Sequence, residues 1–563
     1  MTPRAPSVRR RCDTIDVRED DVIAVGEIAA DRAGRAGGVP CRRHRGPFDA
    51  CAVVAVVWAA IVAAATLRLW WAFVRTDLRF AYVASHTWVG ERWWYRAVGL
   101  WSGMEGSLLL FATLLAIATA VAVWPGSGSG TRAARWAATA ASVGVGVVAS
   151  TMAWPFERLA VPAVQGFGIE PILRHPAMIV HPPLLYLGVV TTVVAFVRPT
   201  RARGPLLVSS AVLVAAMTLG GWWSYAEQGW GGYWGWDPVE NTSLVVWLVV
   251  LAALHSSRFA AATRAAIVQA PLVVTLFAAA LARSGRGASV HSFAASTSIG
   301  VALACVALVP AAVAGRTLVV AVRSARRSRR AEPHAVWAAT AAMLAGAAAL
   351  VLAVLTAAPA LARRDGARLG GSYHVRPMAA IALVAAVALA TMLVRSRGSA
   401  PRWAWVSHAG FVVLLVGAAG SSFDRAERRW LVIDEPASVA GVDVRLAGVS
   451  VAEGATPGSV AVTATLDVAG ETRRPALVTH PERGGTLPET AQVSRPWRDV
   501  QLVVLSAEDD RALVEVRAKP LVSLVWLGAV LMTLGAAVGR AVTRSRRQGS
   551  VSASPGASFA SPD

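Results

Sequence analysis

Runs of around twenty apolar residues, each closed by arginine, proline or glycine, recur along almost the whole chain. A helix of that length crosses a hydrocarbon core of ~30 Å, and in lipid a helix satisfies all of its own backbone hydrogen bonds. About twelve such runs can be read, at roughly 50–74, 98–124, 134–154, 182–198, 204–223, 240–257, 265–282, 298–322, 335–361, 377–395, 403–421 and 520–540. The fold class that follows is an all-α polytopic membrane protein. A net charge of +21 would fit a nucleic-acid partner in a soluble chain. Here the arginines fall in short clusters between the apolar runs, which is how a membrane protein marks its cytoplasmic side, so nucleic acid is excluded.

Those clusters set the topology. Arg132 and Arg135, Arg198 to Arg203, Arg258 and Arg264, Arg323 to Arg330, and Arg395 to Arg402 occupy alternate connections, and Arg540 to Arg547 follow the last run. This side and both termini are expected in the cytoplasm, with the chain in the cytoplasmic (inner) membrane. Residues 1–48 read as a disordered, Arg-rich cytoplasmic extension and not a cleaved signal peptide, because the first apolar run comes after them. A transmembrane bundle is expected over 49–421 and a last span over 520–540, with a disordered basic tail at 541–563. Between them, 422–519 alternates as V-A-V-T-A-T-L-D-V with Gly and Pro breaks, which predicts one small extracytoplasmic β-rich domain. Cys12, Cys41, Cys51 and Cys305 form no C-x-x-C pair, so thiol chemistry would have to come from a partner.

The outward connection at 221–247 reads GWWSYAEQGWGGYWGWDPVENTSLVVW and holds six of the 22 tryptophans. Glycines between the aromatics disfavour both helix and regular strand. The result is an open loop of flat rings beside exposed backbone, suited to a large, flat, mostly apolar ligand. Trp230, Trp234 and Trp236 with Gly231 and Gly232 are its candidate contacts. In D-P-V-E, Asp237 caps a helix, Pro238 opens it and Glu240 closes a capping box. Helix initiation accounts for both acids, and orienting the loop is Asp237's further role.

Depth sorts the histidines. His255 and His408 lie three and six residues from Arg258 and Arg402, at ~5–9 Å from the basic boundary on two different helices. Two histidines at one depth suit the axial positions of a haem iron, and also suit core packing or a proton relay. His181 and His291 lie at the opposite interface, level with the tryptophan loop, and can bracket a flat ligand there. His181 is expected to open its helix, with Pro182 and Pro183 in the first turn. His175 is a nearby substitute for His181, while His86, His374 and His480 face outward without so dense an aromatic neighbourhood.

With those residues in hand, the chain resembles the CcmF family of haem lyase subunits, relatives of the CcmC and CcsA haem proteins. The likeness rests on F-A-Y-V-A-S (80–85), W-S-G-M-E-G-S-L-L-L (101–110), E-P-I-L-R-H-P-A-M-I-V-H-P-P-L-L-Y-L-G (170–188) and W-G-G-Y-W-G-W-D-P-V-E-N, which looks like the family's WWD signature. It continues through A-L-H-S (253–256), R-S-G-R-G-A-S-V-H-S-F-A (283–294), S-H-A-G (407–410) and K-P-L-V-S-L-V-W-L-G (519–528). Met104 stands where many relatives are expected to carry His, and fewer spans are present than the family leads one to expect.

The resemblance implies that His181 and His291 ligate a substrate haem at the WWD loop, and that His255 and His408 hold a b-type haem in the membrane. It implies a cytochrome c haem lyase that joins haem vinyl groups to the thiols of a CXXCH apocytochrome c. The implied partners are that apocytochrome, a haem chaperone and a thiol-reducing subunit that presents the apocytochrome. A haem transporter or exporter, and a non-catalytic assembly scaffold, are the rival classes. An inverted repeat or broken helix would favour transport, and neither is legible in the sequence.

Overall fold

The computed structural model describes residues 49–124, 130–227, 232–286, 289, 296–327, 336–361, 372–395, 401–456, 458–480 and 485–552. The expected extension at 1–48 and three candidate site residues, Trp230, Gly231 and His291, lie outside them. The chain folds into a helical bundle followed by a β-rich region and a final helix. The long helices are α1 Ala50–Val74, then, after the short α2 Ala81–His86 and α3 Trp93–Val98, α4 Met104–Val123 and α5 Arg132–Met152. Next come α6 Ala177–Val190 with its continuation α7 Thr192–Val197, α8 Arg203–Glu227, α9 Pro238–His255, α10 Ala261–Arg283 and α11 Thr297–Arg327. The bundle ends with α12 Val336–Leu361, α13 Ser372–Arg395 and α14 Arg402–Gly420, and α15 Val522–Ser552 follows the strands.

Among the described residues, eleven helices are long and apolar enough to cross a membrane. The chain is a multi-pass membrane protein. The twelfth expected span, α5, is a helix of 21 residues whose Ala, Ser, Thr and Gly content makes it less apolar than the others. Small side chains let it sit close among its neighbours. Ala138, Ala141, Val145 and Ala149 are buried in a core shared with Leu108 and Phe111 of α4. Trp58 Nε1 of α1 donates to Ser142 O at 3.3 Å.

The prolines at 182 and 183 do not start a helix. Helix α6 begins five residues earlier, at Ala177, and carries both prolines inside. Pro182 has no N–H to give to Met178 O, four residues back. Trp101 Nε1 donates to that carbonyl instead, at 2.8 Å. His181 therefore sits in the second turn of the helix and not at its mouth. At the other end of the chain, α15 continues to Ser552, past the boundary expected at 540.

Glycine sets the packing of α14 on α15. A Cβ added at Gly410 would lie 2.7 Å from Gly528 O, and one added at Gly528 would lie 2.4 Å from Leu414 N. The two backbones thus meet directly, the usual way for membrane helices to associate where lipid offers no hydrophobic drive. Arginines close one end of the bundle. Arg198 Nε and Arg135 Nη2 donate to Ala122 O and Val123 O at 2.8 and 2.7 Å, satisfying the last carbonyls of α4.

The β-rich region is two packed sheets. Strands β1 Arg425–Val432, β10 Arg511–Pro520, β9 Arg498–Ala507 and β8 Ala491–Ser494 form one in that order. The other runs β2 Pro436–Val439, β3 Val442–Glu453, β4 Val460–Val468, β6 Ala476–His480 and β7 Gly485–Glu489, with β5 Glu471–Arg473 also on β4. Their inward residues, including Leu446, Leu466, Leu502, Val514 and Val516, make one buried core.

Candidate functional site

At the end of the bundle opposite the arginine caps, the tryptophan loop is fixed by the start of α9. Asp237 Oδ1 accepts from Val239 N at 2.8 Å, and Glu240 Oε2 accepts from Gly235 N at 2.9 Å and Asp237 N at 3.3 Å, a complete capping box. Such caps stabilise a helix start by ~1 kcal/mol. Here they also hold Trp236 at φ 56°, a left-handed conformation that large side chains avoid. Asn241 Nδ2 donates to Trp236 O at 2.9 Å and completes the hold. Asp237 does more than cap: its Oδ1 accepts from Ser289 Oγ at 3.0 Å, which ties the segment after α10 to the loop two residues before His291.

His181 faces α8. Its Nδ1 donates to Ala216 O at 2.9 Å, so the lone pair is on Nε2, and its ring lies where a side chain at Gly220 would be. Trp223 meets it edge to face at 6.1 Å. His175 stacks on the same indole, with ring centres 5.9 Å apart and planes 7° apart. Burial holds the His175 imidazole at a pKa of about 4, so it stays neutral. The turn carrying it is pinned by a buried ion pair, Arg174 to Glu91 at 2.6 Å, with the guanidinium between Trp88 and Tyr95. Within the loop, Trp234 meets Trp236 edge to face at 6.4 Å, and Gly232 O accepts from Ser224 Oγ at 3.3 Å.

His374, expected outward with a sparser aromatic neighbourhood than the loop's, meets the loop itself: its ring stacks on Trp236 with centres 5.6 Å apart and planes 4° apart, and Tyr373 meets it edge-on at 4.9 Å.

The structure brings His255 and His408 together near the arginine-capped end. Their ring centres are 6.1 Å apart and their planes cross at 73°. Each Nδ1 donates to the carbonyl four residues back in its own helix, His255 to Leu251 O at 2.8 Å and His408 to Ala404 O at 2.6 Å. That bond fixes the tautomer and puts a lone pair on each Nε2, as a metal ligand requires. A metal bonded to two imidazoles at ~2 Å, with each nitrogen about 1 Å from its ring centre, sets the centres roughly 6 Å apart. The histidine pair fits that span. No group of three or more His, Cys, Asp or Glu that could hold a metal ion occurs among the described residues.

Comparison with known proteins bears on this arrangement. The sequence profile of the cytochrome C assembly protein family matches residues 202–286, which hold α8, the tryptophan loop, α9 and α10. The chain is 34% identical over 251 residues to the probable cytochrome c-type biogenesis protein NrfE of Escherichia coli (strain K12), covering 40% of this chain and 45% of that one. It is 36% identical over 260 residues to the cytochrome c-type biogenesis protein CcmF of Pseudomonas fluorescens, covering 41% and 39%. The matched segments therefore span less than half the length of these two relatives. The fold is shared with a solved cytochrome c haem lyase CcmF at a TM-score of 0.65 and 23% identity, over 86% of this chain and 91% of that one. The chain is thus similar over part of its length to cytochrome c-type biogenesis proteins, and it shares the fold of a solved CcmF.

What sets the loop is in part the β-rich region. Tyr225 OH, at the end of α8, donates to Asp499 Oδ2 at 3.1 Å, and Gln501 Nε2 and Thr490 Oγ1 donate to the carbonyls of Tyr225 and Ala226. Trp526 of α15 packs edge-on against both Tyr225 and Tyr233, at 5.8 and 6.0 Å. Asp499, Gln501 and Thr490 were not legible as part of the site, because they lie far from the loop in the chain and carry no motif, and Trp526, though within the motif at 519–528, meets the loop only through the fold.

Proposed function

We propose that this chain is the haem lyase component of cytochrome c maturation. It holds a substrate haem at the tryptophan loop and aligns it with the two thiols of a CXXCH apocytochrome c. The observation that carries this reading is that the matched cytochrome c assembly segment contains the loop, which its own capping box, Ser289 and the β-rich region hold in place. His181, oriented by Ala216 O, and His291 are the axial residues of that site, with Trp230, Trp234, Trp236, Gly231 and Gly232 as its surface. Each thiol adds across a haem vinyl group, sulfur bonding to one carbon and the thiol proton ending on the other. The protein contributes by position: a rigid ring wall and fixed imidazole restrict the orientations that separate vinyl from thiol, a gain worth several orders of magnitude.

His255 and His408 would hold a resident b-type haem, which supplies one-electron chemistry when bound. The fixed tautomers and ring spacing of the pair support this. The arginine-capped end is assigned to the cytoplasm by the positive-inside rule. The tryptophan loop and β-rich region then face outward in the cytoplasmic membrane, where a haem chaperone and a thiol-reducing, apocytochrome-presenting subunit would meet them. The test is the visible spectrum of the purified protein with His181, His291, His255 and His408 changed to Ala singly. Loss of a bis-histidine signal confined to His255→Ala and His408→Ala supports the inner site. A wild-type preparation without haem in either redox state sinks the reading. Haem crossing the bilayer in proteoliposomes without any thioether formation would move the chain to the transporter class.

A further inference from the structure

The described side chains of helix α13 are half-buried or exposed, and His374, 5% exposed, is the one buried residue among them. Both ring nitrogens of His374 are buried without a hydrogen-bond partner among the described residues. A buried imidazole in that state is costly, and the cost is lifted only when a hydrogen-bond partner is supplied. The ring lies flat on Trp236, and on the edge of the same indole stands Trp234, whose Nε1 is likewise buried without a partner among the described residues. Two orphaned polar groups thus flank Trp236, the residue that the capping box holds in its strained conformation.

The chemistry of the pair says what is missing. An indole N–H is a donor only and cannot ligate a metal, while an imidazole donates from one nitrogen in its neutral form and from both when charged. The complement common to both is an acceptor, and an anionic oxygen makes the stronger bond. Asp237 and Glu240, the acids nearest in sequence, are engaged in the capping box. We propose that His374 and Trp234 form a carboxylate-binding subsite that receives a propionate of the substrate haem, and so set which edge of the macrocycle turns away from Trp236. The subsite rests on the haem-binding reading of the loop. It adds a third histidine, which acts on the ligand's rim and not on its iron. Fixing the carboxylate edge fixes the opposite, vinyl-bearing edge, which gives the subsite its positioning role.

The test uses the full chain in nanodiscs, titrated with haem and with haem dimethyl ester, whose propionates are masked. Wild type should bind haem about tenfold or more tightly than the diester, as expected for a buried charge-assisted hydrogen bond. His374→Phe keeps a ring on Trp236 and should erase most of that preference, weakening haem, leaving the diester unchanged and keeping the axial-ligand spectrum. Trp234→Phe, which also alters a ring of the haem-binding surface, should weaken haem more than the diester and so reduce the preference to a smaller degree, and His374→Gln, which retains a donor, should restore the preference in part. Elution profile and thermal melting establish that each variant is folded. Equal weakening of haem and diester, or a change to a high-spin spectrum, overturns the subsite in favour of packing or iron ligation. An equal preference for haem in wild type and His374→Phe overturns it as well. Wild type that binds neither porphyrin at the loop overturns the underlying reading, a separate result.

Discussion

The two histidine-bearing regions of this protein are built on opposite principles. The inner pair is held by helices alone: each imidazole is locked to its own backbone one turn away, and α14 is pressed on α15 through glycines. The outer region is a loop held at its edges by a capping box, by Ser289 and by the β-rich region, and its inner face retains buried groups without partners among the described residues. A site whose imidazoles are each tied to their own helix suits a ligand that stays. A site with clamped edges and unsatisfied walls suits one that arrives and leaves.

The sharpest break of that comparison is removal of an inner histidine. His255→Ala or His408→Ala should abolish nearly all of the bis-histidine absorption while binding of added haem at the loop persists, read by reduced-minus-oxidised spectra. Simultaneous loss at both regions would mean that they are one site. Next in size is Gly528→Leu, whose side chain meets the backbone of Leu414 2.4 Å from its Cβ. Overpacking of this kind costs roughly 3 kcal/mol. It should lower the melting temperature and the inner-site absorption together.

A comparable but pH-dependent effect is expected at His175. The unfolded chain takes up a proton near pH 6.5, whereas the buried imidazole does so only at about 4. Stability should therefore fall as pH drops through that window, by about 3 kcal/mol in total. His175→Phe, which keeps a ring on Trp223, should flatten the pH–melting curve. A curve unchanged by the substitution would show that the imidazole is not held neutral.

The smallest effect concerns the clamp. Burial raises the Asp499 carboxyl above the ordinary carboxylate value, against the pull of the hydrogen bond from Tyr225. The folded protein then retains a proton that the unfolded chain has released. The corresponding stability is complete below the ordinary carboxylate pKa and is lost as pH rises through the raised value. Asp499→Asn should remove this dependence. Tyr225→Phe should cost about 1 kcal/mol and weaken haem binding at the loop a few-fold, with no change at the inner pair. Equal weakening at the two regions would show that the β-rich region stabilises the bundle as a whole and does not act on the loop.

Eleven of the twelve expected spans, the β-rich region, the capping box and the shared depth of His255 and His408 were legible in the chain. Each is a local or periodic property: twenty apolar residues for a helix, alternation for a strand, D-P-V-E for a helix start, and distance from an arginine boundary for depth. The folding of α6 around Pro182 was not legible, because the donor that replaces the lost backbone bond is Trp101, 77 residues away. Nor was His374, which in sequence is an ordinary interfacial histidine and which only the packing of α13 brings onto Trp236. The sequence by itself determined which segments enter the membrane and which histidines share a depth, since both follow from residue type and spacing. Tertiary structure alone decided which side chains face the loop and which polar groups are left without partners, since these depend on contacts between segments far apart in the chain.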